Sequence, residues 1–219
     1  MLTYEEVKKS EAIKTYIIRA DESLITLGYT EHSFAHVVHV AETAGYILEV
    51  MGYDARTVEL ARIAGYLHDI GNLVNRKDHS QSGAVMAWSI LNDMGCDPSE
   101  IATIVTAIGN HDEGSGVPVN AVAASLILAD KADVRRSRVR NPDIASFDIH
   151  DRVNYSVKES ILDINEEKTI IKLTMSIDTE YSSVMDYFEI FMGRMILCRK
   201  AAEKLGLRFH LIINQQQLI

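Results

Sequence analysis

Cysteine, proline and positive charge are all scarce in this 219-residue chain. The two cysteines, Cys96 and Cys198, lie far apart with no CxxC spacing. That excludes a disulfide framework and a thiolate zinc ribbon, and it predicts a reducing, cytoplasmic compartment. Lys plus Arg number 22 against 31 Asp plus Glu, a net charge of −9 with a pI near 5.3. Such a balance excludes broad electrostatic attraction to nucleic acid or to an anionic membrane, so any phosphate partner has to be met locally. The longest notable apolar run, Ala121 to Ala129, is about half of the roughly 20 residues that span a bilayer and predicts a buried helix instead. No basic flank followed by an apolar stretch opens the chain, whose start reads MLTYEEVKKS, so no secretory signal is expected. What remains is 47% hydrophobic residues, enough for a sizeable core and too many for disorder.

Start and stop signals divide the first 140 residues into successive helices. Thr3 and Glu6 form a capping-box pattern for a helix running toward Gly28. Ser33 to Met51 follows, closed by Gly52. Asp54 opens a third helix, apolar on nearly every side, that ends near Gly71. Ser80 to Met94 is stopped by Gly95, and Asp97-Pro98-Ser99-Glu100 starts a helix expected to break at Gly114-Ser115-Gly116. A further helix begins near Asn120 and is expected to run into the basic stretch Arg135 to Arg140. All three prolines, Pro98, Pro118 and Pro142, fall at boundaries between these elements. After Phe147 the character changes. Lys158 to Ile164 and Lys168 to Ile177 read as a hairpin, Ser182 to Leu205 as a long helix closed by Gly206, and Leu207 to Asn214 as a possible third strand. The predicted organisation is a helical unit over residues 1–150 and a small α+β unit over 151–219.

His36, His39, His68, His79 and His111 lie in the helical part, with His32 one turn before His36, and Asp69 and Asp130 accompany them. Imidazole mixed with carboxylate suits divalent iron, manganese, nickel or zinc. The sharpest element is His68-Asp69 in AGYLHDIGN. Neighbours in a helix diverge by about 100°, so this pair can share one metal only where the helix ends or where the metal sits between them. Gly71 marks such an end, and it leaves two polar side chains on a buried helix that would be costly to leave unpaired.

The order of these residues resembles the HD-domain metal-dependent phosphohydrolase superfamily. Its pattern is an early His, a His-Asp doublet and a later Asp, here His36 in HVVHVAETA, His68 and Asp69 in YLHDIGN, and Asp130 in LILADKAD. Two-metal members add two histidines in between, which His79 and His111 match by type and order. The resemblance covers roughly residues 30 to 140 and implies a mainly α fold, an HD-domain helical bundle carrying the small C-terminal α+β appendage. His111 to Pro118 partly echoes the signature of cyclic-di-GMP phosphodiesterases, but Asp112 replaces a second His and Val117 stands where Tyr would be, which disfavours that subfamily.

The resemblance further implies two divalent ions, iron or manganese first, with nickel, zinc, cobalt or magnesium also compatible. Asp69 would bridge them, His36, His68 and Asp130 serving one and His79 and His111 the other. The expected reaction is hydrolysis of a phosphate ester or anhydride of a nucleotide or other small phosphorylated metabolite by metal-activated water. Lys131 and Asp133 are candidate catalytic helpers beside the last ligand, Asp133 by orienting a ligand or accepting a proton. Arg76, Lys77, Arg135 and Arg138 are candidate phosphate contacts, because guanidinium geometry suits paired oxygens. His32, His39, His150 and His210 are expected to be bystanders. Two rival readings are a di-iron oxygenase on the same ligand pattern and a noncatalytic ligand sensor dimerised through the C-terminal unit, whose hairpin edge could join a second copy.

Overall fold

In the computed structural model, which describes residues 1–219, nine α-helices precede or flank one four-stranded sheet. Thr3 and Glu6 do form a reciprocal capping box, but the helix they open, α1 (Tyr4–Lys9), stops after six residues. Ser10 turns extended and its side chain caps α2 (Glu11–Thr26), so one expected helix is two. Ser33 caps α3 (Phe34–Val50) and Asp54 caps α4 (Ala55–Leu67). A 3₁₀ turn over Ile70–Leu73 leads to α5 (His79–Asp93) and α6 (Pro98–Gly109). The latter ends five residues before the expected Gly114 break, because Asn110 already leaves the helical region. Similarly α7 (Ala121–Ala132) stops short of the arginine run, which forms loop and a 3₁₀ turn over Arg136–Arg138.

The apolar stretch of α7 makes it the central helix: Val122 through Ala129 are all buried. It packs against α3, α4, α6 and α9. An unexpected short helix, α8 (Ile149–Ser156), crosses the 150 boundary and feeds β1 (Val157–Ile164), which pairs antiparallel with β2 (Ile170–Ile177) as the hairpin reading requires. Then α9 (Val184–Lys204) leads to β3 (Arg208–Ile213), which lies parallel to β2. Parallel neighbours need a crossover, and α9 is that crossover. A tight turn with Asn214 and Gln215 at positive φ adds β4 (Gln216–Gln217). The alternation Ile171, Leu173, Met175, Ile177 is buried throughout, and one contiguous core runs from Tyr4 to Ile213. No helix is long and apolar enough to cross a membrane.

Candidate metal centre

Each inward-facing polar residue sits where a helix begins or ends. His36 lies in the first turn of α3. His68 is the last helical residue after α4, and Asp69 follows with φ −97° and ψ 3°, so the chain leaves the helix between the two and both side chains face one point. Gly71 is needed directly behind them. A Cβ there would lie 2.0 Å from the carbonyl oxygen of His79 and 2.4 Å from the amide nitrogen of Gly83, so the turn packs backbone to backbone on α5. His79 opens α5 after Asp78 in the left-handed region, His111 follows the end of α6, and Asp130 occupies the last turn of α7.

The four histidines share one hydrogen-bonding design. His36 Nδ1 donates to Asp133 Oδ2 at 2.7 Å, His68 Nδ1 to the Gly65 carbonyl at 2.7 Å, His79 Nδ1 to the Arg76 carbonyl at 3.0 Å and His111 Nδ1 to the Ile108 carbonyl at 2.7 Å. An Nδ1 occupied as a donor leaves the Nε2 lone pair free and aims it. Those lone pairs face one another: His36 Nε2 is 3.3 Å from His68 Nε2, and His79 Nε2 is 3.2 Å from His111 Nε2. Two such lone pairs repel unless a cation, a proton or a metal ion, lies between them. Asp69 stands between the pairs, its Oδ2 3.6 Å from His36 and 3.5 Å from His68, its Oδ1 3.4 Å from His79. Asp130 Oδ1 completes one cluster, 3.4 Å from His36 Nε2 and 3.6 Å from His68 Nε2. His36, His68 and Asp130 form one group of donors able to hold an ion, and His68, Asp69 and His111 another.

Electrostatics favour neutral His79 and His111 beside ionised carboxylates. Burial holds His111 well below the usual imidazole range and lowers His79. Burial would also lower His68, but Asp69 and Asp130 outweigh it and raise it. For Asp69 burial works toward protonation, yet His68, His32, His79 and Arg76 hold it well below the usual carboxylate range. Asp130 is likewise held down against burial, chiefly by Lys131, whose Nζ is 2.7 Å from its Oδ2.

The family model described as HD domain matches residues 33–146, a segment containing His36, His68, Asp69, His79, His111 and Asp130. The chain belongs to the HD domain family. The HD domain chain is 25% identical over 193 residues to the protein named "Uncharacterized protein MJ1020" of Methanocaldococcus jannaschii, covering 77% of this chain and 74% of that one. It is 32% identical over 123 residues to Ribonuclease Y of Aliarcobacter butzleri. That match takes in 54% of this chain and only 21% of the ribonuclease, so the two share about a fifth of the ribonuclease's length. Among solved structures, a "predicted HD superfamily hydrolase" from an uncultured Thermotogales bacterium is 26% identical, with a TM-score of 0.47 over 62% of this chain and 75% of that one.

The remaining expected residues of the HD domain divide. The two candidate helpers are both buried, Asp133 against His36 Nδ1 and Lys131 between Asp130 Oδ2 and Glu113 Oε2, each at 2.7 Å. A cavity of about 380 Å³ opens over Asp69, His79, His111 and Asp130, and Arg76 and Arg138 line it, as Lys131 does. Lys77 is exposed and lies outside this lining. Arg135 also lies outside it, its guanidinium occupied by Asp133, Glu31 and Ser137, which makes it a support for Asp133. His39 is exposed, so His36 holds the inward position of α3. His210 lies on β3 away from the cavity, whereas His150 is exposed at the cavity wall.

His32 is no bystander by position. Its Nδ1 pairs with the Thr30 carbonyl at 2.6 Å and its Nε2 points at Asp69 Oδ2, 3.9 Å away, repeating the design of the other four. The i, i+4 spacing of His32 and His36 was the available signal, although Ser33 ends the helical register between them. Glu113, Phe191 and Arg194 also enter the site, and nothing local in the sequence marks them.

Proposed function

We propose that this HD domain is a metal-dependent phosphohydrolase that cleaves a phosphate ester or anhydride of a small phosphorylated metabolite, a nucleotide first among them. The observation that carries this reading is the Asp69 carboxylate, with one oxygen toward the His36–His68 pair and the other toward His79. In this reading His36, His68, Asp69 and Asp130 would hold one divalent ion, and Asp69, His79 and His111 would hold a second. Nitrogen and carboxylate donors without thiolate suit manganese or iron, the ions taken first here. Donors sharing one ion at about 2.0–2.2 Å lie roughly 3.0–3.5 Å from each other, close to the spacing of these atoms. Divalent ions held there would supply Lewis-acid activation of water and of the phosphoryl group.

The chain's own residues do the rest. Asp133 holds His36 in the tautomer that presents Nε2. Arg76 lies over the Tyr29 ring, donates to Asn72 Oδ1 at 3.2 Å, and keeps further N–H groups for an anionic oxygen in the cavity. Arg138 is anchored to the carbonyls of Glu31 and Asp133, leaving its second terminal nitrogen for the same task. Lys131 pairs with both Asp130 and Glu113 beside the cavity. The name of the ribonuclease relatives describes cleavage of a phosphodiester-linked polymer, which supports phosphoester chemistry in the shared segment. Both cysteines are unpaired and buried, in keeping with the cytoplasmic location assigned here.

A phosphate-release screen of nucleoside mono- and diphosphates, dinucleotides and sugar phosphates, with manganese or iron added, tests the reading. Metal-dependent release from at least one class is the expected result. Oxygen uptake by the iron-loaded protein with no phosphate released from any substrate would overturn it in favour of oxygenase chemistry.

A further inference from the structure

The segment matched to the HD domain family ends at residue 146, yet the cavity wall continues into α8 and α9. Phe191 and Arg194, one turn apart on α9, line the same cavity as Asp69 and Asp130. Arg194 Nε donates to Glu113 Oε1 at 2.8 Å, and its guanidinium lies 4.1 Å from the centre of the Phe191 ring. The other oxygen of Glu113 meets Lys131 Nζ at 2.7 Å, and Lys131 meets Asp130 Oδ2 at 2.7 Å. One chain of ion pairs therefore runs from the metal centre's last carboxylate to α9.

The two terminal nitrogens of Arg194 have no partner in the protein, and the side chain remains 21% exposed at the cavity. A guanidinium gripped on one edge and on one face has little freedom left to lose, while its remaining N–H groups form a fork suited to a phosphate. A purely structural arginine would direct those groups at carbonyls or carboxylates, as Arg56 does with the Leu2 carbonyl and Glu100.

We propose that Arg194 is a substrate-binding residue: from outside the HD segment it takes anionic oxygens of the phosphorylated substrate, facing the same cavity as Arg76, Lys131 and Arg138. Glu113 is the positioning residue that sets its fork. This rests on the phosphohydrolase reading above, and it makes α9 part of the site rather than only a crossover between strands.

The test titrates inorganic phosphate and pyrophosphate into manganese-loaded wild type, Arg194→Gln and Arg194→Lys by calorimetry, after metal content and melting temperature have been measured for each. Charge-assisted hydrogen bonds of this type are each worth about 1.5–3 kcal/mol, so Arg194→Gln should bind at least one probe about ten- to a hundredfold more weakly with metal content unchanged. Arg194→Lys should fall between, because an ammonium cannot hold Glu113 and present a fork together. Equal affinity of wild type and Arg194→Gln would overturn the proposal, as would a metal-loaded wild type that binds neither probe. If the glutamine variant does not fold, wild-type affinity in Arg194→Lys overturns it. Failure of the phosphohydrolase reading shows separately, as a wild type that releases phosphate from no substrate in the screen while its affinity for phosphate or pyrophosphate still depends on Arg194.

Discussion

Asp133 accepts the Nδ1 proton of His36 at 2.7 Å, and Arg135 and Arg138 in turn surround its carboxylate. Burial favours protonation of Asp133, but the bond from His36 and the charge of Arg138 hold it below the usual carboxylate range. The pair thus fixes which nitrogen of His36 faces Asp130. Asp133→Asn should weaken manganese binding by about ten- to a hundredfold, the usual effect of losing a partner that orients a ligand. Competition with a fluorescent chelator measures this, and unchanged affinity would remove Asp133 from the site.

Gly71 marks the close approach of the His68–Asp69 turn to α5. A methyl group there meets backbone atoms at 2.0 and 2.4 Å, which cannot swing aside as side chains can. Gly71→Ala should destabilise the fold by about 1–3 kcal/mol or more. Gly114→Ala, whose Cβ meets nothing closer than an Asp112 carboxylate oxygen at 3.5 Å, should stay within about 0.5 kcal/mol of wild type. Denaturant midpoints at constant slope compare the two.

Lys131 is buried between Asp130 and Glu113. Removing it takes from Asp130 its cation and leaves Glu113 with Arg194 alone, so Lys131→Met should cost about 3–5 kcal/mol in metal-free protein. Adding Glu113→Gln should restore part of that loss. A double variant no more stable than the single one would show that the ion-pair chain is not what Lys131 supports.

Arg56 grips Glu100 with both ends of its guanidinium, Nε to Oε1 at 2.6 Å. The bond from Arg56 lowers the Glu100 pKa against the opposing pull of burial. A carboxylate depressed in the folded state stabilises fully above its unfolded pKa, about 4.3, and loses that contribution as pH falls through the lower folded value. The melting-temperature gap between wild type and Glu100→Gln should therefore be present at pH 7 and shrink below about pH 4. A gap that widens on acidification would contradict the assignment.

Much of this was legible from residue type and spacing. Thr3, Ser33, Asp54 and Asp97 each announce a helix that forms where expected, because a cap is a local hydrogen bond. The break at Ser10 has no Gly or Pro to announce it, and α8 is too short to show a period. In the site, His36, His68, Asp69, His79, His111 and Asp130 converge because each lies at a helix end whose cap or breaker is local. His32 and Arg194 could not be found that way. One depends on how the loop after α2 returns, tied by Asp21 to the His32 amide, and the other on α9 folding back over α7, which brings in Arg194 from 64 residues downstream of Asp130. Arg135 lies outside the cavity lining for a related reason: a charge run carries no sign that acidic partners already await it.

The central claim is that Asp69 joins two metal sites, one on each carboxylate oxygen. Elemental analysis of protein purified with manganese or iron and passed over a desalting column decides it. Wild type should retain two ions per chain, and Asp69→Ala should retain none or one while still folding by circular dichroism. Full metal content in Asp69→Ala, or a wild type that retains no divalent ion under any loading condition, would contradict it.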